Sequence, residues 1–483
     1  MNIQVFIAFA VYFTILITIG IAASLKNRQS ESDFIIGNRS LNFWLTALSA
    51  HAADMSAWLF MAFPAAIFIA GNPQIWIAIG LAAGMYFNWQ LVAPRLRVMT
   101  EKTNSYTIST FFERRFNDKS GILRVLTAIM SIVFLTCYLS GGLIAMGLLF
   151  ESLFGLDYYI GITFATVVVV IYTFFGGFVA VAWTDLFQGL FLLSMVILVP
   201  LTAFGKIGGI DSIVEIANAK NISLSLFNDY SWRSLSASLL LALGWGLGYY
   251  GQLHVLTKFM GIKDPKEMHK SKWLGMSWQV LALAASACVG LVGIAFFPDG
   301  LPNGELVFVD MVKQLFSPLF AGFILCAVLA ANMSTMDSQI LVCASVLTED
   351  LYKKLAKHIP SSKKMLKMTR VSIVLVALVS LALASSKSSS ISATVAYAWY
   401  GLGASFGPLV LMSLFSERAN KYGAIAGILV GGILSGIWPT VSHYLTDYPL
   451  SPIIPGFFLG LATIYIVSLL TGSNPKPQET AAT

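Results

Sequence analysis

The chain has 483 residues, of which 57% are hydrophobic and only 11% are charged. A soluble domain of this length needs more polar surface than such a composition supplies. Together with a mean hydropathy of +0.78, this excludes a soluble globular protein and predicts an all-α polytopic membrane protein.

The first apolar run, Val5 to Leu25, is about twenty residues long, which is enough for a helix to cross the hydrocarbon core. No basic residue precedes it and no convincing cleavage site lies before Lys26, so we interpret it as a retained span rather than a signal peptide. With this run, the predicted spans number thirteen and lie near residues 3–25, 42–70, 73–95, 122–150, 158–180, 183–205, 235–258, 275–297, 313–347, 370–386, 392–416, 422–442 and 453–471.

The positions of lysine and arginine predict the orientation of these spans. With the N-terminus outside, 25 of the 30 basic residues fall in inner segments, as the positive-inside rule requires. The inner segments are then Lys26–Arg39, Arg95–Arg124, Lys258–Lys272, Lys353–Arg370, Arg418–Lys421 and the tail around Lys476. The net charge of +7 therefore reflects an N-out, C-in topology and gives no reason to invoke nucleic acid. We expect the tail, residues 473–483, to be disordered.

Spans 2 and 7 contain interruptions that a lipid-facing helix would not need. Span 2 reads LSAHAADMSAW around Asp54, and span 7 reads LGWGLGYYGQLHVL with four glycines. Interruptions at corresponding places in two halves predict broken helices whose free carbonyl groups hold cations and substrate. A carboxylate at this depth is costly unless it is paired, so Asp54 has either a coupling role or a structural role beside a broken backbone.

Span 9 carries a polar face. Ala331, Ser334, Thr335 and Ser338 recur at i, i+3, i+4 and i+7, so they share one side of a helix. Hydroxyl oxygens beside a small residue suit a hard cation such as sodium, although close helix packing explains the same pattern equally well.

Two further carboxylates lie at or near membrane depth. Asp337 points away from the Ser334 face, and Asp185 begins span 6. If the two approach each other, they must share a cation or a proton, because adjacent carboxylates resist joint ionisation.

Aromatic residues with polar tips stand beside the interruptions. Trp245 and Tyr249 are spaced i, i+4 in the glycine-rich stretch, and Tyr138 lies in span 4. Such rings can line a pocket for a small polar ligand, or they can be ordinary core residues. His51 and His254 are interpreted as packed helix residues rather than proton relays.

Five segments together resemble the sodium:solute symporter family, and within it the bacterial sodium/proline symporters. They are GNRSLNFWLTALSAHAADMSAW, LVAPRLRVMTE, YTFFGGFVAVAWTDLFQG, GWGLGYYGQLHVLTKFM and LAANMSTMDSQILVCASVLTEDLY. The resemblance runs from about residue 7 to 470 and implies a LeuT-type 5+5 inverted repeat. The segments would be a first helix and inner loop at 1–41, two five-helix repeats at 42–205 and 206–416, and two final helices at 417–472.

The resemblance also implies the functional residues. A sodium site would use Ala52, Met55, Ala331, Ser334 and Thr335; a possible second sodium or proton site would use Asp185, Asp337 and Ser338; Asp54 and Arg39 would act in coupling; and the substrate would contact Trp245, Tyr249, Tyr138, Ser56, Gln252 and Leu253.

Two motifs depart from the family pattern. Where the family usually has GA(A/S)DMSG, this chain has HAADMSA, so His51 and Ala57 replace glycines. Where the family usually has GQPH, Leu253 replaces proline. His51 could alter the affinity or pH dependence of the ion site, and Leu253 could shift the substrate range.

The expected function is sodium-coupled import of L-proline by a transporter that is not an enzyme, in the cytoplasmic membrane of a bacterium. The implied ligands are sodium ion, a small-molecule substrate and membrane lipid, with no transition metal and no nucleic acid, and a monomer should suffice. Symport of another amino acid, a sugar acid or a vitamin, coupled to sodium or protons, and solute sensing without transport remain alternatives.

Overall fold

Hydrocarbon offers the peptide backbone no hydrogen-bond partners, so an apolar segment that crosses it must satisfy its own N–H and C=O groups. The computed structural model does this with helices, and it describes residues 3–25, 31–175, 177–356, 358, 360–386, 390–446, 448 and 450–472. Within these ranges one isolated parallel β-bridge joins Leu41 to Ile262. The tail predicted to be disordered, 473–483, lies outside the described residues.

The helices fall into two runs along the chain. Up to residue 204 they are α1 Ile3–Leu25, α2 Glu31–Ile36, α3 Phe43–Met55, α4 Ala62–Ala70, α5 Ile75–Phe87, α6 Ala93–Lys102, α7 Ile108–Arg115, α8 Ile122–Phe154, α9 Tyr158–Phe175 and α10 Phe178–Phe204. Beyond it they are α11 Ile210–Ala219, α12 Trp232–Gly248, α13 Leu253–Met260, α14 Met268–Phe296, α15 Val307–Leu315, α16 Pro318–Ser345, α17 Lys353–Leu355, α18 Ser362–Ala384, α19 Ile391–Phe415, α20 Lys421–Leu445 and α21 Ile453–Thr471.

The length and apolar character of these helices confirm the prediction of an all-α polytopic membrane protein. Over the described residues, ten helices are long and apolar enough to cross a membrane, and the bent pair α3 and α4 makes eleven. A shorter apolar stretch, Tyr158–Ile171, lies within α9.

Some helix boundaries differ from the hydropathy pattern. The span predicted to begin at 370 is the helix α18, which starts eight residues earlier, at Ser362. Its first turn contains lysines, which a hydropathy window assigns to a loop, but Ser361 accepts a hydrogen bond from the backbone N–H of Lys364 at 3.4 Å. An N-cap of this kind begins a helix irrespective of hydropathy. The short helices α2, α7 and α11 were not predicted, because they lie outside the apolar runs. Helix α15 was not predicted as a separate helix either, and only its last three residues fall within the predicted span 313–347.

Both predicted interruptions are present. Helices α3 and α4 meet at an angle of 68°, and Ser56 between them has φ 33° and ψ −174°. Helix α12 passes into a 3₁₀ turn, Tyr249–Gly251, and then Gln252 adopts an extended conformation before α13 begins.

Helix α16 lies at the centre of the bundle. It is buried along most of its length and packs against α1, α3, α8, α10 and α18. A transmembrane helix surrounded by protein can carry polar side chains that a lipid-facing helix cannot. The hydroxyl groups of α16 are therefore held among neighbouring helices, close to the break in α3.

Helices α5 and α12 approach each other through glycines. A methyl group at Gly84 would overlap the carbonyl oxygen of Gly246, and one at Gly80 would overlap the carbonyl of Ala242. Small residues permit this close backbone approach between membrane helices. The contact fixes α12, and with it the second break, against the first half of the chain.

We expect Gly84→Ala to destabilise the protein, because the added methyl group must displace the α12 backbone, a cost of about 1–3 kcal/mol. Thermal unfolding of the purified protein in detergent should show a Tm several degrees below that of the wild type. Gly205→Ala is the matched control, since the nearest atom to its new methyl group, the carbonyl oxygen of Thr202, is 3.5 Å away. Equal Tm values for the two variants would contradict the close contact.

Candidate functional site

The break in the second span lies against two hydroxyl groups of α16. Ser334 Oγ donates hydrogen bonds to the carbonyl oxygens of Ala52, at 2.8 Å, and of Ala331, at 3.0 Å. Thr335 Oγ1 donates to Ala331 O at 3.1 Å and accepts from the backbone N–H of Ser56 at 2.9 Å. The structure thus brings together four of the five residues predicted for the sodium site, and Ser56 joins them.

The geometry of Ser56 produces the break. Its positive φ lies outside the helical region, a conformation that costs about 1–3 kcal/mol for a residue other than glycine. The hydroxyl of Ser56 accepts from the backbone N–H of Trp58 at 3.1 Å, which starts the 3₁₀ turn Ala57–Leu59. Met55, the fifth residue predicted for the sodium site, is buried and ends α3 directly before the break.

The atoms gathered here are neutral oxygens: backbone carbonyls from the broken helix and from α16, and the hydroxyls of Ser334 and Thr335. Hard cations prefer such ligands. The two hydroxyl groups donate to carbonyls in this structure, and rotation about their C–O bonds would turn their lone pairs toward a cation. The residues present therefore fit a sodium ion.

A hydrogen-bonded chain joins the two broken spans. Tyr249 Oη donates to Asp54 Oδ2 at 2.5 Å, and Gln279 Nε2 of α14 donates to the same phenol oxygen at 2.9 Å. Asn88 Nδ2 donates to the backbone carbonyl of Tyr249 at 3.1 Å. Among the described residues, the second oxygen of Asp54 has no hydrogen-bond partner. Asp54 is thus paired with the span 7 break, and one of its oxygens remains available.

Aromatic rings pack beside this chain. The ring centroid of Trp245 lies 5.0 Å from that of Trp58 and 5.9 Å from that of Trp399. Tyr249 meets Trp399 edge to face at 5.0 Å. The rings come from spans 2, 7 and 11, and they form an apolar wall between the two breaks.

Gln252 and Leu253 occupy the break of span 7 itself. Gln252 Nε2 donates to the carbonyls of Gly248, at 3.1 Å, and of Trp399, at 3.3 Å. Leu253 is the first residue of α13, and it lines a cavity of about 20 Å³, room for a water molecule, together with Lys258. Proline is favoured at a first helical position because its N–H is not needed there, and in this chain leucine occupies that position.

His51 and His254 are both packed against aromatic rings. His51 Nε2 accepts from Trp89 Nε1 at 3.1 Å, and the absence of a side chain at Gly275 leaves room for the imidazole. The bulk added by His51 therefore lies against α14 and the region of Trp89. His254 meets Tyr138 edge to face at 5.8 Å, yet within the described part of the chain both of its ring nitrogens lack hydrogen-bond partners. Both histidines are thus packed helix residues, and among the described residues His51 Nδ1 also lacks a hydrogen-bond partner.

Asp185 has a partner that the sequence did not indicate. Its Oδ2 accepts from Ser49 Oγ at 2.6 Å and lies 3.0 Å from Lys258 Nζ. Assigning Lys258 to an inner loop was wrong, because this lysine is buried within α13 and only 1% exposed. Hydropathy counts the charge of a residue and does not detect a partner that neutralises it.

Asp337 and Ser338 lie on α16 beyond the two hydroxyls. Asp337 Oδ1 accepts from Thr173 Oγ1 at 2.9 Å. In the ranges described, neither Asp337 Oδ2 nor Ser338 Oγ has a hydrogen-bond partner, although both residues are buried.

Arg39 lies outside the cluster of oxygen atoms and connects helix ends. Its guanidinium donates to the carbonyls of Thr100, Ser105 and Met260 at 2.9–3.0 Å. Burial, and then the neighbouring Arg97, lower the pKa of Arg39 to about 10, so the side chain remains charged at neutral pH. Arg39 thus joins the segment before span 2 to the ends of spans 3 and 7.

Sequence reasoning missed three residues of this network: Asn88, Lys258 and Gln279. The available signal was a polar side chain inside an apolar run, in NWQLV and in MSWQV. Such residues are rare in membrane helices and almost always face the bundle interior.

The chain resembles known proteins over nearly its whole length. A model of the family described as "Sodium:solute symporter family" matches residues 34–431. The high-affinity proline transporter PutP of Bacillus subtilis is 42% identical over 451 residues, which are 92% of this chain and 94% of the relative. The osmoregulated proline transporter OpuE of the same organism is 40% identical over 481 residues, covering 99% and 96%. A sodium/proline symporter of Staphylococcus aureus is 40% identical, covering 97% and 93%.

Solved structures share the fold. A Na⁺-coupled sialic acid symporter in a substrate-bound outward-open state superposes with a TM-score of 0.83 at 20% identity, covering 98% of each chain. MhsT in complex with L-phenylalanine gives a TM-score of 0.56 at 13% identity, covering 88% of this chain and 97% of that one. The resemblance first noted in the sequence motifs is therefore confirmed: this integral membrane protein belongs to the sodium:solute symporter family.

Proposed function

We propose that the protein imports L-proline together with sodium by alternating access. The contact between the break in α3 and the hydroxyls of Ser334 and Thr335 carries this proposal, because it gathers neutral oxygen ligands at the centre of the bundle. The names of the relatives, three of which are proline transporters or symporters, support the choice of substrate.

Sodium would bind to the carbonyls of Ala52, Met55 and Ala331 and to the two hydroxyls. An ion in this position would draw α3 toward α16 and order the break at Ser56. Since Asp54 on α3 is bonded to Tyr249, order at the first break would extend to the second. Coupling of this kind is reciprocal, so bound substrate must increase sodium affinity by the same factor.

The substrate would lie between the breaks. Its candidate contacts are Trp245, Tyr249, Tyr138, Ser56, Gln252 and Leu253. The aromatic wall suits the apolar ring of proline, and the positive N-terminal end of the 3₁₀ turn after Ser56 would favour the substrate carboxylate, as helix N-termini do in broken-helix transporters. Asp54 Oδ1, which has no hydrogen-bond partner among the described residues, is a candidate acceptor near the same place.

We further propose the finer topology that the sequence predicted. Added to the ten helices and the bent pair, the short helix α9 and the broken span α12–α13 give thirteen crossings. The distribution of basic residues supports the N-out, C-in orientation. The family resemblance supports the repeats at 42–205 and 206–416 and the flanking segments 1–41 and 417–472. All oxygens of the sodium site come from one chain, which supports a functional monomer.

A different small solute remains the second candidate, and Leu253 is the observation that favours it. This residue departs from the family motif at the substrate break. Uptake of labelled L-proline into proteoliposomes under an inward sodium gradient tests both possibilities. We expect accumulation that requires sodium, that potassium or proton gradients do not replace, and that unlabelled proline abolishes. Accumulation of another solute in place of proline would contradict the substrate, and binding without accumulation would indicate a sensor.

Removal of the two hydroxyls should weaken sodium binding. Each hydroxyl ligand contributes about 1–1.5 kcal/mol, so Ser334→Ala and Thr335→Val should each raise the sodium concentration for half-maximal uptake roughly tenfold. Ser405→Ala and Thr166→Val are matched controls, since these buried hydroxyls donate to carbonyls of their own helices at 2.7 and 2.8 Å. Unchanged sodium dependence in both site variants would place the ion elsewhere.

The hydrogen bond between Tyr249 and Asp54 should carry the coupling between the breaks. Tyr249→Phe leaves Asp54 Oδ2 and Gln279 Nε2 without this partner, so we expect uptake at saturating sodium to fall at least tenfold. In the double variant with Asp54→Asn, the losses of uptake should be strongly non-additive, because both substitutions alter the same hydrogen bond between Tyr249 and Asp54. Tyr158→Phe, which removes a 2.8 Å bond to the carbonyl of Ala384, is the control. Additive losses would show that the two side chains act independently.

A further inference from the structure

The ammonium group of Lys258 lies inside the protein, against a carboxylate. Lys258 Nζ is 3.0 Å from Asp185 Oδ2, and their side chains are 2% and 0% exposed. The same nitrogen lies 5.0 Å from the ring centroid of Phe178, whose face attracts a cation. Burial of a charged lysine is costly, and an ion pair with these further contacts offsets the cost.

The position that Lys258 takes is one of the places where a second transported cation would have to bind. Asp185 Oδ2 already receives the ammonium and the hydroxyl of Ser49. A sodium ion bound to the same carboxylate would lie a few ångströms from the ammonium. Like charges at such a distance repel each other strongly inside a protein, where water screens them little.

Lys258 and Asp185 lie on different elements of the fold. Lys258 belongs to α13, the half of the broken seventh span that follows Gln252, whereas Asp185 belongs to α10. The ammonium is therefore tied to one side of the break and the carboxylate to a different helix. A cation that is part of the chain is not itself transported, so it draws no energy from the sodium gradient.

We infer that Lys258 acts as a built-in cation at Asp185, so that the protein binds one sodium ion, at the α3–α16 site, and none at Asp185. This inference rests on the proposed role of sodium as the coupling ion. It replaces the hypothesis of a second sodium at Asp185, Asp337 and Ser338. Asp337 keeps its hydrogen bond from Thr173 and holds no transported ion.

The number of sodium ions bound is measured directly by equilibrium binding of radioactive sodium to the purified full-length protein in detergent, without substrate. We expect one sodium per chain, lost in the variant that carries both Ser334→Ala and Thr335→Val and retained in Asp337→Asn. Two sodium ions in the wild type, or loss of an ion in Asp337→Asn, would overturn the inference. No bound sodium at all would instead refute the proposed function, and with it the inference.

Substitution of Lys258 provides a second test of the same inference. Lys258→Met preserves the length of the side chain and removes the ammonium group from Asp185. A second sodium ion should then bind at Asp185, and adding Asp185→Asn to this variant should abolish its binding. Lys258→Arg keeps the positive charge, so this variant should still bind one sodium ion per chain. A single sodium in a monodisperse Lys258→Met protein would contradict the built-in cation. Should this variant fail to fold, the count in the wild type still decides the matter.

Discussion

The hydrogen bonds from α16 to the break in α3 are the interaction on which the rest of the site depends. A break exposes backbone N–H and C=O groups at a depth where water is excluded, and each unsatisfied group costs several kcal/mol. Thr335 and Ser334 satisfy the first break from α16. Asn88 and Gln252 satisfy the second break in the same way, through the carbonyls of Tyr249 and Gly248. At the first break, the hydroxyls that stabilise the broken backbone are the groups that would exchange a protein partner for the proposed ion.

Charged side chains connect the second break to the first half of the chain. Helix α13 ends at Met260, whose carbonyl accepts from Arg39, and it carries Lys258, which is bound to Asp185. Arg39 and Lys258 therefore both hold the last turn of this half-helix. Any movement of α13 during transport must change or carry these contacts, whereas the proposed α3–α16 site would respond to the ion. The proposal thus separates a charge fixed in the chain from an exchangeable one.

Much of this arrangement could be predicted from local pattern. The i, i+3, i+4 spacing placed Ser334 and Thr335 on one face, and the small residues and glycines located both breaks, because helix periodicity and helix interruption are local properties. Hydropathy placed most helix ends within a few residues, and failed at α18, where a serine cap and not an apolar run begins the helix.

The partners of the functional groups could not be predicted. The sequence indicated that Asp185 and Asp337 would share a cation or proton if they approached each other, but it did not reveal the direct partner of Asp185, which is Lys258, 73 residues later in the chain. Gln279 reaches Tyr249 from another span. Such pairs depend on how helices pack, and packing of membrane helices is set by small residues and shape rather than by a pattern within one segment.

The central claim is that sodium acts by ordering the α3 break against α16. Hydrogen–deuterium exchange of the purified protein, compared in sodium and in potassium at equal ionic strength, tests it most directly. The account predicts that sodium slows exchange in peptides covering residues 50–60 and 328–340, with a smaller effect around 245–255, and leaves α20 and α21 unchanged. Equal exchange of the first two segments in both salts would contradict it.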